Sequence, residues 1–529
     1  MALFWIAASL AGLVGYFVYD TYRKSRYWPE KGIPSLTPVP LLGSLLDAMR
    51  TGQSAFDFKW TKKLGRIFGY FDGPTPVIVT SDLEMLKNIL VKDFSHFVNR
   101  RDFGVSGPVM ELNLTEIKDQ RWKDIRSVLL PAFTSGKLKQ MNNLIKECCD
   151  DLLRKIDQFA VSGQEFSAKE LYGRLTLDVI ATTFFATKIN SQEDPNSSFV
   201  KHAKKIFEFS FTDMSVFLAM LVPKLKPVMK FLGMQSFDKT ATDFFVRNTE
   251  QIIRLRKESK QNRRDFLQLM LNSMKSDEAV TDTKPTQTAT MVHNEVESDV
   301  ASAAMALSGS QEKPLSHSNY KLSLEELVAQ AIIFFLAGYE TTATTLTFMT
   351  YCLATNPDIQ ERLQKEIRTV LAGKDTIEYD DLAEMTYLDQ CVNETLRLFP
   401  PISRSERSCN AEWTYEGVTY EEGTIVAIPI FAIHRDPENW PEPEVYNPER
   451  FSKENRANIK PYSFMTFGQG PRNCIGMRFA LYEIKMVMAS ILKNYRFVQS
   501  SKTQVPLVLK DEVGFMSTEK GVWVKVEKL

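Results

Sequence analysis

Between Gly43 and about Lys275, apolar residues recur at three- and four-residue spacing, as in "WKDIRSVLLPAF" and "MNNLIKECCDDLLRKIDQFA". That period predicts a succession of helices. Strict alternation is rarer. "PVIVTS" (Pro76 to Ser81) reads as a strand, "EWTYEGVTYEEGTIVAIP" as a hairpin around its glycines, and the terminal "GVWVKVEKL" as another strand. The pattern predicts a mainly α fold with small β-sheets, and no repeat of fixed period runs through it.

Three stretches depart from the amphipathic rule. From Ala2 to Tyr19, "ALFWIAASLAGLVGYFVY" carries no charge, and Arg23, Lys24 and Arg26 follow at once. Residues 1–22 therefore read as one N-terminal transmembrane helix with the body of the protein cytosolic. A cleaved signal peptide is the competing reading; it lacks a basic leading region. Residues 23–43 are basic and then rich in proline (Pro34, Pro38, Pro40), an extended linker before a single domain over 44–529. The second stretch, Phe207 to Met234, is too apolar for a loop but is broken by Pro223 and Pro227 and punctuated by Lys224, Lys226 and Lys230. It suits a segment dipping into a membrane interface, or a buried core helix pair. The third, 276–317, is Ser-, Thr-, Ala- and acid-rich, too polar to fold on its own, and reads as a flexible insert within the domain.

The most apolar helix comes later. Ser323 and Glu326 form a capping box ahead of "LVAQAIIFFLAGYETTATTLTFMTYCLAT", and Pro357 closes a run of roughly 50 Å at 1.5 Å per residue. Apolar on nearly every face, it should be buried. A second membrane span competes, opposed by Glu340 and by the hydroxyls of Thr341, Thr342, Thr344, Thr345 and Thr347. Glu340 is costly there unless partnered or functional. Gly338 leaves room beside the backbone, so an acid and an alcohol next to that gap can serve proton or water handling. A satisfied core glutamate is the alternative.

Composition narrows the classes. Lys+Arg and Asp+Glu both number 65, so nothing argues for nucleic acid. Six cysteines in 529 residues, none in a CxxC pair, fit a reducing compartment. One of them stands apart. Cys474 lies in "FMTFGQGPRNCIGMRFALYE", among Gly468, Gly470 and Gly476, just before a helix whose N-terminus favours a thiolate. Arg472 suits an anionic group on whatever the sulfur binds. A nucleophile with His434 as base is a competing chemistry, and zinc needs more ligands than the loop holds.

Phe467 to Gly476 matches every fixed position of F-x-x-G-x-R-x-C-x-G, the haem-binding signature of the cytochrome P-450 family, which the chain resembles along essentially its whole length. Ala337 to Thr342 are similar to its oxygen-activating helix motif, Glu394 and Arg397 to E-x-x-R, and "NPERF" (Asn447 to Phe451) to the segment completing that ion-pair cluster. The finer resemblance is to the third animal clan, the drug and steroid oxidases and thromboxane synthase. It implies a membrane-anchored haem-thiolate monooxygenase of the endoplasmic reticulum, binding haem b. Electrons from NADPH would come through a flavoprotein reductase, with cytochrome b5 as a further partner, and O₂ would supply the atom inserted into a lipophilic substrate. The implied axial ligand is Cys474. Phe467 and Arg472 belong to the implied haem contacts, with Arg100, Trp122, Arg126 and Arg407 on the propionates. Glu340 and Thr341 are implied proton donors, Glu394, Arg397 and Arg450 structural, and Phe103, Leu336, Ala337 and Ile402 substrate contacts. Lys123, Lys137 and Lys139 are candidates for the reductase face. A reductase-independent isomerase of the thromboxane-synthase type is the alternative, disfavoured by the intact acid–threonine pair; a haem sensor would need no such pair.

Overall fold

The computed structural model describes the chain apart from residues 186, 195, 208–213, 260–264, 275–319 and 513, so the insert expected at 276–317 lies outside the described residues. The fold is mainly helical with small sheets, built around one long central helix, Leu324–Thr355. Its start is the expected capping box: Ser323 Oγ accepts from the Glu326 amide at 3.1 Å, and Glu326 Oε2 accepts from the Ser323 amide at 2.9 Å. Among the described residues it is the one helix long and apolar enough to cross a membrane, but 72% of that apolar window is buried by neighbouring elements. It is a core helix.

The helix Ala168–Phe185 packs along it. Thr176 Oγ1 donates to the Tyr339 carbonyl at 3.1 Å, and the Tyr172 and Thr350 hydroxyls meet at 2.8 Å. A Cβ at Gly338 would overlap Ile180 Cδ1. The room beside Gly338, read from sequence as space for a bound group, is thus filled by the neighbouring helix, because a missing side chain is where two backbones can approach most closely.

Strands β1 (Ile67–Asp72) and β2 (Thr75–Thr80) form a hairpin. The short β3 (Phe166–Ser167) and β4 (Ser405–Ser408) each take a sheet edge. β5 (Trp413–Tyr415) and β6 (Val418–Tyr420) are the predicted hairpin. β7 (Ile425–Ile428), read as part of that hairpin, instead lies between β2 and β4, parallel to β2. All four of its residues are buried, which suits a central strand better than a solvated hairpin arm. The C-terminal run supplies β8 (Tyr495–Gln499), the β9 (Leu509–Glu512)–β10 (Phe515–Thr518) pair and β11 (Trp523–Lys528), with β11 between β3 and β8.

The N-terminal helix runs unbroken from Ala2 to Glu30, past the boundary expected at residue 22. Leu3, Phe4, Trp5 and Ile6 are exposed, whereas Trp28 is only 1% exposed. Its Nε1 donates to the Tyr70 carbonyl at 3.1 Å, and its ring fills the place of a side chain at Gly69. The linker that follows is docked rather than free, since the Gly69 amide donates to the Pro34 carbonyl at 2.8 Å and the Leu36 amide to the Gly69 carbonyl at 3.1 Å.

Within Phe207 to Met234, helices Met214–Leu221 and Lys226–Phe231 have two faces. Val216, Ala219 and Met229 pack with Phe103 and Val105. Val228, Phe231 and Leu232 are exposed, Phe231 by 90%. Lys226 Nζ donates to the Asp102 carbonyl at 2.5 Å and Lys230 pairs with Glu111 at 2.9 Å, so two of the three lysines are held by the protein. The packed face is the buried core of one sequence reading.

Candidate functional site

Gly468 and Gly470 have φ of 72° and 74°, the left-handed region that favours glycine, and a Cβ at Gly470 would overlap the Leu90 carbonyl. These two residues let the loop fold back so that the Cys474 amide donates to the Phe467 carbonyl at 2.8 Å. Two residues on, Gly476 caps the helix Met477–Leu492 and its N–H is directed at the sulfur. Cys474 is the one exposed cysteine; the other five are buried. Burial nonetheless raises its thiol pKa, outweighing the Gly476 N–H and the Arg126 and Arg100 guanidiniums that pull it down. A thiol that keeps accessible surface yet is desolvated faces an interior cleft, not bulk water. The dipole alone therefore does not make it a thiolate, contrary to the expectation from the helix start; a cationic partner is needed.

Four guanidiniums surround that loop. Arg126 donates to the Asn473 carbonyl at 3.0 Å and to Asn473 Oδ1 at 2.6 Å. Arg472 donates to the carbonyls of Val98, Thr115 (3.3 Å) and Ile117 (2.8 Å), and its guanidinium lies 4.8 Å from the Trp122 ring centre. Burial, then repulsion from its three neighbours, drives the Arg472 pKa down to about 8; burial with Arg100 and Arg126 drives Arg407 down to about 9. Arg100 is lowered by burial. The Nε atoms of Arg100, Arg407 and Arg472 are buried without a partner. Four like charges in low dielectric, with unspent donors, match a ligand carrying more than one carboxylate. The two propionates of haem fit that demand.

Mid-way along the central helix Ala337 is exposed and Thr341 half-buried, on a helix otherwise mostly interior. Thr341 Oγ1 donates to the Ala337 carbonyl at 2.7 Å. Glu340 turns the other way, onto Lys169 Nζ of the adjacent helix, which also donates to Thr344 Oγ1 at 2.6 Å. Sequence reasoning missed Lys169, which lies 171 residues from Glu340. Leu336 is buried in the main core, Phe103 packs under Met214–Leu221, and Ile402, 41% exposed, bridges to Phe515.

Glu394 and Arg397 are fully buried and joined twice, Nε–Oε2 at 2.7 Å and Nη2–Oε1 at 2.8 Å. Arg397 also donates to the His434 and Pro443 carbonyls at 2.8 Å, and Arg450 Nε reaches Glu394 at 3.3 Å. His434 is no base for Cys474. Its Nε2 accepts from the Met465 amide at 2.9 Å, which leaves Nδ1 protonated and donating to the Arg397 carbonyl at 3.0 Å. Burial followed by Arg397 lowers its pKa to about 3. The imidazole fastens the Arg397 helix to the start of the cysteine loop.

The family model "Cytochrome P450" matches residues 33–295 and 290–526. Cytochrome P450 3A11 of Mus musculus is 40% identical over 524 residues, 99% of this chain and 96% of that protein. Cytochrome P450 3A2 of Rattus norvegicus has the same identity and coverage, and Cytochrome P450 3A12 of Canis lupus familiaris is 39% identical over 525 residues, again 99% and 96%.

Proposed function

The chain belongs to the cytochrome P450 family and is a haem b monooxygenase; from that premise we propose that Cys474 would hold the haem iron through its thiolate and that Arg100, Arg126, Arg407 and Arg472, with Trp122, would seat the propionates. Bound there, the haem supplies oxygen activation and insertion of one oxygen atom into the substrate. The remaining roles fall to side chains. Thr341 presents a hydroxyl on the open face of the central helix. Glu340, paired with Lys169 on the adjacent helix, is the proposed acid partner of that hydroxyl, and it reaches Thr341 only by leaving the lysine. Phe103, Leu336, Ala337 and Ile402 exclude water around a lipophilic substrate. Phe467 closes the haem edge of the loop, while Glu394, Arg397 and Arg450 hold the loop's foundation.

NADPH is the proposed electron source through a flavoprotein reductase, with cytochrome b5 as second donor. Lys123 and Lys137 offer a cationic docking face; Lys139 is partly engaged, 2.7 Å from Asp380. The helix Ala2–Glu30, with its exposed apolar residues, serves as anchor in the endoplasmic reticulum membrane, and Phe231 and Leu232 form a second apolar contact.

The carrying observation is the set of four buried guanidiniums around a cysteine that alone keeps an open face. The test is the difference spectrum of reduced, carbon-monoxide-bound protein. Wild type should show the strongly red-shifted Soret band and Cys474→Ser should lose it. NADPH-dependent product formation with added reductase should follow; product without NADPH overturns the electron-transfer part alone.

A further inference from the structure

The segment 110–118 is a preformed loop between the cysteine loop and the central helix. Asn113 Oδ1 accepts from both the amide (2.7 Å) and the hydroxyl (2.6 Å) of Thr115, and the Glu116 amide donates to the Asn113 carbonyl at 3.0 Å. Arg472 holds it from one side through the Thr115 and Ile117 carbonyls. From the other, Gln330 of the central helix donates to the Leu112 carbonyl at 2.7 Å and accepts from the Leu114 amide at 2.8 Å. Gln330, Ala337 and Thr341 are spaced by seven and four residues, so they share one helix face. The loop therefore roofs the N-terminal end of that face, about two turns before the exposed Ala337.

Glu116 sits in the middle of that roof. The neighbouring acids have cations of their own: Asp102 pairs with Lys118 at 2.6 Å and Glu111 with Lys230 at 2.9 Å. Glu116 has none within ion-pair distance among the described residues. Among the described residues the one hydrogen-bond partner of its carboxyl is the Ser106 hydroxyl, at 2.8 Å. The Arg100 guanidinium feels the charge of both Glu116 and Cys474.

We propose that Glu116 is a specificity-determining residue: an acid in the roof of an apolar chamber that pairs with the protonated nitrogen of a lipophilic amine and so orients that class of substrate. The inference rests on the monooxygenase chamber proposed above. A half-buried carboxylate without a cation gains more from an incoming ammonium than any surface acid does, because little solvent screens the pair. Burial raises the Glu116 pKa to about 7, with Asp102 and Glu111 adding to the rise and Ser106 and Lys118 opposing it. Arg100 is the further charge that acts on it.

The test titrates full-length haem-loaded protein with two matched probes, a benzyl-substituted N-methylpiperidine and its carbocyclic isostere, following the Soret shift. The wild type should bind the amine about tenfold more tightly than the isostere, and Glu116→Gln, which keeps the acceptor for Ser106, should abolish that ratio while leaving the isostere within about twofold. The wild-type preference should also grow as pH rises from about 6 to about 8, since the carboxyl ionises while the amine stays charged. Equal loss of both probes in Glu116→Gln, or a pH-independent ratio near unity in wild type, overturns the proposal in favour of a loop-bracing role. If Glu116→Gln takes up no haem, the wild-type pH series decides alone. A normal carbon-monoxide band without amine preference refutes Glu116 and leaves the monooxygenase reading intact.

Discussion

Both nitrogens of His434 are committed to backbone groups, so a proton cannot be added without breaking the Met465 contact. The folded-state pKa of about 3 lies below the ordinary value of 6.5. The unfolded chain therefore binds a proton that the folded chain refuses. The stability this contributes is complete above pH 6.5 and is lost as pH falls toward 3, at about 1.4 kcal/mol per unit. Denaturation midpoints should fall between about pH 6.5 and about pH 5 by the equivalent of about 2 kcal/mol, and His434→Gln should flatten that slope. An unchanged slope in the variant would assign it to carboxylates. Cys474 was legible in sequence because its glycines and arginine sit within a few residues of it. His434 was not, since nothing local says that its partners are the carbonyl of Arg397 and the amide of Met465.

At the scale of elements, the capping box placed the start of the central helix and Pro357 its end, because those signals act within one turn. Tertiary neighbours left no such mark. The glycine at 338 announced a close approach but could not say that Ile180 makes it, and "TIVAIP" could not say that its partners are β2 and β4. The helix contact gives a sharp expectation. Gly338→Ala gains about 1 kcal/mol of helix propensity but overpacks by about 1–3 kcal/mol against Ile180 Cδ1. Ile180→Val removes that atom at a cost of about 0.5–1.5 kcal/mol. The double variant should be more stable than the sum of the singles by about 1 kcal/mol, read from denaturant midpoints. Strict additivity would mean the helices do not meet there.

Across the whole molecule, the mainly α architecture was readable from the balance of three-to-four and two-residue periods. The join between N-terminal helix and globule was not, because basic residues and prolines look alike whether a linker is free or docked. Trp28 makes the join measurable. Deleting residues 2–19 should leave the carbon-monoxide band and the melting temperature near wild type while weakening sedimentation with phospholipid vesicles. Deleting residues 2–30 also removes Trp28, whose loss should cost about 3–5 kcal/mol, in line with large buried aromatics. Equal melting temperatures for the two truncations would show that Trp28 contributes nothing to the globule.

A rod about 44 Å long at 1.5 Å per residue, unbroken to Glu30 and pinned into a sheet at Trp28, is a mast and not a tether. With that mast in a bilayer, as proposed, the globule would inherit its tilt. Spin about the membrane normal would remain, tumbling would not, and any protein sharing the same surface would meet this one the same way up at every collision.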